Sequence, residues 1–187
     1  MLLHPPHNTT INRSVSCVSS SHLPSNFLVP SLQRKMGLKG KLTSQMETKV
    51  GGDVFHELFR YKPQQLPNIS PTNIQGCDLH EGEWGNVGSI YFWRYTHDGK
   101  QEVAKAVIES IDEEKRSLTF KVVEGDLMKL YRAFKGGFHV ETHGGIDLVT
   151  WNLEYEKLND DVEEPLSLLS FCIKLAKDVE AHHLKAT

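Results

Sequence analysis

The sequence has no run of about 18 apolar residues, which excludes a membrane-spanning helix. Its three cysteines, Cys17, Cys77 and Cys172, lie far apart and form no C-x-x-C pair, so no zinc or dithiol redox motif is present. Reduced thiols, and a reducing compartment such as the cytoplasm, are the expectation. No G-x-S-x-G occurs, which removes the signal for a hydrolase nucleophile. Asp and Glu are missing from residues 1–35 altogether, where Arg13, Arg34 and Lys35 are the only fixed positive charges. From Met36 onward the chain holds 18 basic against 24 acidic residues, so it lacks the basic excess that nucleic acid or anionic lipid requires.

The acid-free segment is rich in Ser, Pro, His and Asn and has no apolar stretch of signal-peptide length. Such a composition suits a transit peptide, making plastid targeting one expectation. A disordered tail outside the fold, or translation begun upstream of Met36, are the others. Residues 36–187 then form one domain, and the 39% hydrophobic and 24% charged residues of the whole chain are a globular composition.

From Met36 the chain reads as strands closed by one long helix. Residues 38–50 alternate Leu42, Ser44 and Met46 against Lys41, Thr43 and Gln45, the period of a half-buried strand. Residues 51–61 change to a helical period, with Asp53 as N-cap and Val54, Leu58 and Tyr61 on one face. Pro63, Pro67 and Pro71 keep any following helix short. Strands are expected at 73–80, 88–97, 101–111, 117–124, 134–143 and 147–157, with Asp98-Gly99 marking a tight hairpin. Pro165 to Leu184 is the clearest helix, its stripe of Leu168, Phe171, Cys172, Leu175, Ala176 and Val179 facing in and Lys174, Lys177, Asp178 and Glu180 facing away. The sum is an α+β domain in which a long helix lies across one antiparallel sheet.

Charged residues nominate the outer face of each strand. Arg94 outward turns Tyr91, Trp93, Tyr95 and His97 in; Lys121 does so for Leu118, Phe120 and Val122. Lys135, His139 and Glu141 outward turn Phe134, Phe138 and Val140 in, and Glu154 and Glu156 leave Val149, Trp151, Leu153 and Tyr155 inside. The inner face is aromatic and dotted with hydroxyls, as an apolar ligand pocket is; a solid core with satisfied tyrosines is the other reading. In the pocket reading Tyr91, Tyr95 and Tyr155 orient a polar end of the ligand, and Leu168, Phe171, Cys172 and Leu175 form the helical wall. Leu127, Met128 and Leu130 make an adaptable rim at the mouth.

"MGLKGKLTSQMETKV", "GEWGNVGS", "KVVEGDLMKLY", "LVTWNLEYEKLND" and "KDVEAHHL" together resemble the plant major latex proteins, from about Met36 to the C-terminus. These belong to the birch-pollen-allergen superfamily, the pathogenesis-related class ten proteins. The resemblance implies a helix-grip, START-like fold: a curved seven-stranded antiparallel sheet around the long C-terminal helix, with two short helices. It also implies a large cavity for hydrophobic or amphipathic small molecules such as plant metabolites, hormones or lipids, no cofactor, and a place in plant defence and stress. An amine-aldehyde condensing enzyme of the same superfamily needs a pocket Lys and carboxylate, whereas Lys105, Lys121 and Glu141 are all placed outside. The receptor branch's Ser-Gly-Leu-Pro-Ala gate and His-Arg-Leu latch are absent, "THDGKQ" standing at the gate position. The reading is a non-enzymatic carrier, with a protein-interaction module in defence as the competing class.

The stretch "HEGEWGNVGSI" sets Gly82, Gly85 and Gly88 around Trp84. A phosphate loop leads into a helix N-terminus and ends in Lys-Ser/Thr; this one joins two strands and carries Glu81 and Glu83. The glycines are expected as turn positions, with Trp84 folded onto the domain near the pocket mouth. His139 and His143 sit about 13 Å apart on a strand, too far to share a metal ion, so no metal site is expected.

Overall fold

The alternation of the sequence is the alternation of the sheet. The computed structural model describes the backbone of Asn12–Ser14 and residues 38–185. The strands are β1 (Asn12–Ser14), β2 (Lys39–Thr48), β3 (Ile74–Glu81), β4 (Ile90–His97), β5 (Lys100–Asp112), β6 (Ser117–Gly125), β7 (Tyr131–His143) and β8 (Ile146–Lys157). Seven of them, β2 to β8, form an antiparallel sheet in the order β2-β8-β7-β6-β5-β4-β3, and β1 lies parallel on the outer edge of β2. Apart from β1, the segment 1–35 and the expectations attached to it lie outside the described residues.

Hairpins account for most of the connectivity. Asp98 and Gly99 both take positive φ, 49° and 74°, as a two-residue type I′ turn needs, and His97 pairs with Lys100 across it. Register shifts within the β3–β4, β5–β6 and β7–β8 pairs bend the sheet around its inner face. That face is covered by three helices: α1 (Gly52–Tyr61), the single-turn α2 (Leu66–Ile69) and α3 (Leu166–Lys185). At 1.5 Å per residue α3 runs about 30 Å, and it buries Leu168, Leu169, Cys172, Leu175, Ala176 and Val179 against the sheet.

Three local expectations are corrected. The N-cap of α1 is Gly51 rather than Asp53, and the Asp147 carboxylate from β8 accepts the Gly52 N–H at 2.8 Å, supplying the cap from a distant strand. The buried face of α1 is Phe55, Leu58 and Phe59, with Tyr61 exposed. Asp178 and Glu180 do not simply face water. Asn73 Nδ2 donates to Asp178 at 2.9 Å and Ser70 Oγ donates to the same carboxylate oxygen, while Lys49 N donates to Glu180 at 2.7 Å. Ser70 and Asn73 are buried, so this triad pins α3 to the end of α2 and the start of β3.

His56, on α1, is only 8% exposed and its Nε2 has no hydrogen-bond partner. Burial pushes its pKa below the ordinary 6.5, and the Glu113 carboxylate, 3.7 Å from Nδ1, only partly opposes this. The unfolded chain therefore binds a proton that the fold excludes, so this contribution to stability is present above about pH 6.5 and is lost as the pH falls toward the folded value. Urea midpoints should fall as the pH drops from 7 to 5, and His56→Gln should flatten that acid limb.

Candidate functional site

Between the sheet and α3 lies an apolar cavity of about 150 Å³. The strands turn Trp93, Tyr95, Phe120, Val122, Trp151 and Leu153 toward it, and α3 closes it with Leu168, Phe171, Cys172 and Leu175. Of the other wall residues, Phe134 of β7 has the inward parity expected of it and Ala106 of β5 is a position at which a larger side chain would fill the space, while Phe59 from α1, Ile74 from β3, Ala104 from β5 and Gly136 from β7 were not singled out by the sequence pattern. The small residues make the space. Ala104 and Ala106 share the inner side of β5 with Ile108, and Gly136 sits opposite Leu153 in the β7–β8 register.

The resemblance implied a large cavity; this one is ring-sized, and its wall includes Phe59, Trp93, Tyr95, Phe120, Phe134, Trp151 and Phe171. An apolar cavity of about 150 Å³ takes a benzene-sized molecule. Burial pushes the Cys172 thiol up to about 12, so it lines the wall as a neutral, unreactive group. Cys77 is also buried, and both are free thiols.

Four of the residues assigned to the pocket stand behind the wall rather than in it. Tyr91 is buried with its ring 4.7 Å from that of Trp84, and its hydroxyl is already engaged: it donates to Arg60 O at 2.7 Å and accepts the Gly85 N–H at 2.8 Å. It cannot orient a ligand while it holds the loop. Phe138 stacks on Phe59 and Trp151 at 5.2 and 5.3 Å. Val140 packs beneath Gly52, and Tyr155 lies against Tyr131 and over Gly40.

The glycine-rich loop is a structural clasp. Gly82, Gly85 and Gly88 all adopt φ between 83° and 90°, a region that side-chain-bearing residues rarely enter. Its amides are spent internally: Glu83 N on Ser89 Oγ, Gly85 N on Tyr91, Asn86 N on Glu83 O, Gly88 N on Ile108 O and Ser89 N on Asn86 O. Arg60 Nε adds a bond to Gly85 O at 3.0 Å. A phosphate would find few free donors and two carboxylates nearby.

The mouth lies elsewhere. A depression of about 590 Å³ opens between the β4–β5 turn, the 126–131 turn and the start of α3, with Leu127 and Leu130 on its rim. Met128, expected beside them, packs against the core instead. Leu168 lines both this depression and the apolar cavity, which makes it the partition between them. The glycine loop precedes β4 and the mouth follows it, so the length of the strand, about 23 Å at 3.3 Å per residue, separates them. Trp84→Ala should therefore lower thermal stability by removing the ring packed on Tyr91, and leave the dissociation rate of a bound probe unchanged in stopped-flow displacement.

Two inward polar groups were missed by the rule that charge marks the outer face. Glu102 has the strand parity of Ala104 and Ala106, and Lys157, which is buried, that of Leu153 and Tyr155. Parity counted from the apolar residues places both. By contrast Lys121 and Glu141 are exposed, and Lys105 pairs outside with Glu124 at 2.9 Å. His139 and His143 each approach Glu141, at 3.8 and 3.2 Å. Among the described residues no group of three or more His, Cys, Asp or Glu side chains is placed to hold a metal ion. No helix among them is long and apolar enough to cross a membrane.

With this geometry in hand, the chain was compared with known proteins. Residues 37–186 match the model of the pathogenesis-related protein Bet v 1 family. MLP-like protein 28 of Arabidopsis thaliana is 48% identical over 149 residues, which span 79% of this chain and 44% of that protein, so the chain covers about half the length of this relative. The crystal structure of ginseng major latex-like protein 151 from Panax ginseng is 53% identical, with a TM-score of 0.78 over 79% of this chain and 99% of that one. Norcoclaurine synthase from Thalictrum flavum superposes with a TM-score of 0.64 over 87% of this chain and 99% of that one; at 17% identity it shares the fold alone. By sequence and fold, the chain belongs to the Bet v 1 family of pathogenesis-related proteins, in its major latex protein group.

Proposed function

We propose that the protein is a non-enzymatic carrier that holds hydrophobic or amphipathic small molecules in the cavity under α3. The observation that carries this reading is an apolar space roofed by a helix, adjoining a wide solvent-facing mouth at a shared side chain, Leu168. A ligand gains dispersion contacts and buries apolar area at roughly 25 cal/mol per Å². The wall supplies no nucleophile: its single thiol is neutral at physiological pH, and Tyr95 is held protonated by burial. Membership of a pathogenesis-related family supports a role in defence and stress, and the free cysteines Cys77 and Cys172 support residence in a reducing compartment. Native mass spectrometry of the protein taken from its own tissue tests the reading. A bound species of fixed mass, released by mild activation, is expected; a chain that travels bare in every preparation counts against it.

A further inference from the structure

The polar groups at the cavity's outer end are arranged for a particular kind of head group. Tyr95 on β4 and Glu102 on β5 are direct cross-strand partners. Tyr95 is 6% exposed, and its buried hydroxyl and the buried Glu102 Oε2 have only each other close by, with no further hydrogen-bond partner. Buried polar atoms short of partners are uncommon in folded proteins. Burial, then the Glu102 carboxylate beside it, push the Tyr95 phenol far up, so it stays a neutral hydroxyl able to donate or accept. His97 completes the group, with Nδ1 3.8 Å from Glu102 Oε2 and Nε2 3.0 Å from Ser167 Oγ on α3. The Phe171 ring faces both Tyr95 and His97, at 5.8 and 6.1 Å.

This cluster spans the two spaces. Tyr95 lines the apolar cavity, while Glu102 and His97 line the mouth. The mouth is strongly acidic: Asp98, Glu102, Asp126, Asp161, Glu163 and Glu164 line it against the single lysine Lys100. Lys129 offsets Asp126 at 2.6 Å, and the remainder still carries a clear negative excess. Such a field concentrates cations and repels carboxylates before they reach the cavity.

We propose that the site selects lipophilic amines, with an aromatic or short apolar body in the cavity and a protonated amino group seated between Glu102 and Tyr95. This rests on the carrier reading and names its ligand class. An ammonium brings three donors and no acceptor, and so answers both Glu102 Oε2 and the Tyr95 oxygen. A hydroxyl brings one donor, and a carboxylate none. The Glu102 side chain keeps 21% of its exposure, so the charge is paired without being wholly stripped of water. Tyr95 and Phe171 add aromatic surface of the kind that attracts cations.

The test uses the full chain and three matched ligands, 4-phenylbutylamine, 4-phenylbutan-1-ol and 4-phenylbutyrate, competing at pH 7 with a neutral naphthalene-type fluorophore. The amine should bind about tenfold or more tighter than the carboxylate, with the alcohol between them; tenfold corresponds to about 1.4 kcal/mol. Glu102→Gln should bring the amine down to the level of the alcohol, and Tyr95→Phe should weaken the amine more than the alcohol. A carboxylate that binds as well as the amine, or an amine preference that survives in Glu102→Gln, overturns the inference. If the fluorophore binds and the three ligands compete equally, the selectivity fails and the carrier stands. If neither fluorophore nor any of the three binds, both fail.

Discussion

Replacing Ala106 by Trp is expected to lower the affinity for a neutral naphthalene-type probe by about 100-fold or more, equivalent to about 2.7 kcal/mol. Ala106 lines the cavity from the middle of β5, pairs with Tyr91 on one side and Val122 on the other, and is almost fully buried. An indole projecting from that position takes the volume a ligand would use. Overpacking costs about 1–3 kcal/mol and is partly offset by the apolar surface buried, so the fold should survive with a modestly lower melting temperature. Gly136→Val is the gentler version. A β-carbon there has ordinary clearance, 3.5 Å from Leu153 Cδ2, and the added methyls enter the same space. Partial loss of probe affinity with near-native stability is the expected outcome. A probe that binds Ala106→Trp unchanged is bound somewhere else.

The largest stability effect outside the aromatic core is expected from Asp178→Ala. One carboxylate oxygen receives hydrogen bonds from Ser70 Oγ and Asn73 Nδ2, and Asn73 also donates to Ser70 Oγ at 2.7 Å. Bonds to a charged acceptor contribute about 1.5–3 kcal/mol each, and their removal strands the buried Ser70 hydroxyl and leaves Asn73 Nδ2 with its bond to Ser70 alone. A loss of about 3 kcal/mol follows, with the melting temperature lowered by about 6–12 °C for a domain of this size. Asp178→Asn retains an acceptor and should cost about half as much. Urea unfolding measures both: the midpoint should shift with an unchanged slope, because the triad links α3 to α2 without altering the area exposed on unfolding.

The fold was legible because it is written in strand alternation. Every strand from β2 to β8 starts and ends within about three residues of its expected limits, Asp98-Gly99 identified its hairpin, and the stripe on α3 is the buried stripe. The site was legible in part, for a physical reason. Strand parity says which side of the sheet a residue lies on, but not whether it reaches a void or another side chain. Tyr91 and Tyr95 have the same parity and aromatic character. The first spends its hydroxyl on Gly85 and Arg60, and the second keeps its own at the cavity wall beside Glu102. That difference comes from the loop at 82–89 folding back on α1, a tertiary event with no periodic signature. Asp178 was misread and Glu102 passed over for the opposite reason: charge was taken as a mark of solvent, whereas each faces a buried polar partner across a strand pair or a helix contact. The cavity's volume depends on how Phe59, Phe134, Phe171, Trp93 and Trp151 fill the space together, which no single segment encodes.

The central claim is that a small molecule binds beneath α3, and equilibrium titration of the purified chain with a neutral naphthalene-type fluorophore tests it most directly. One saturable site per chain, a blue-shifted emission, and loss of the signal in Ala106→Trp are expected. Emission that rises linearly with probe and never saturates, or that is the same in the filled variant, would contradict it.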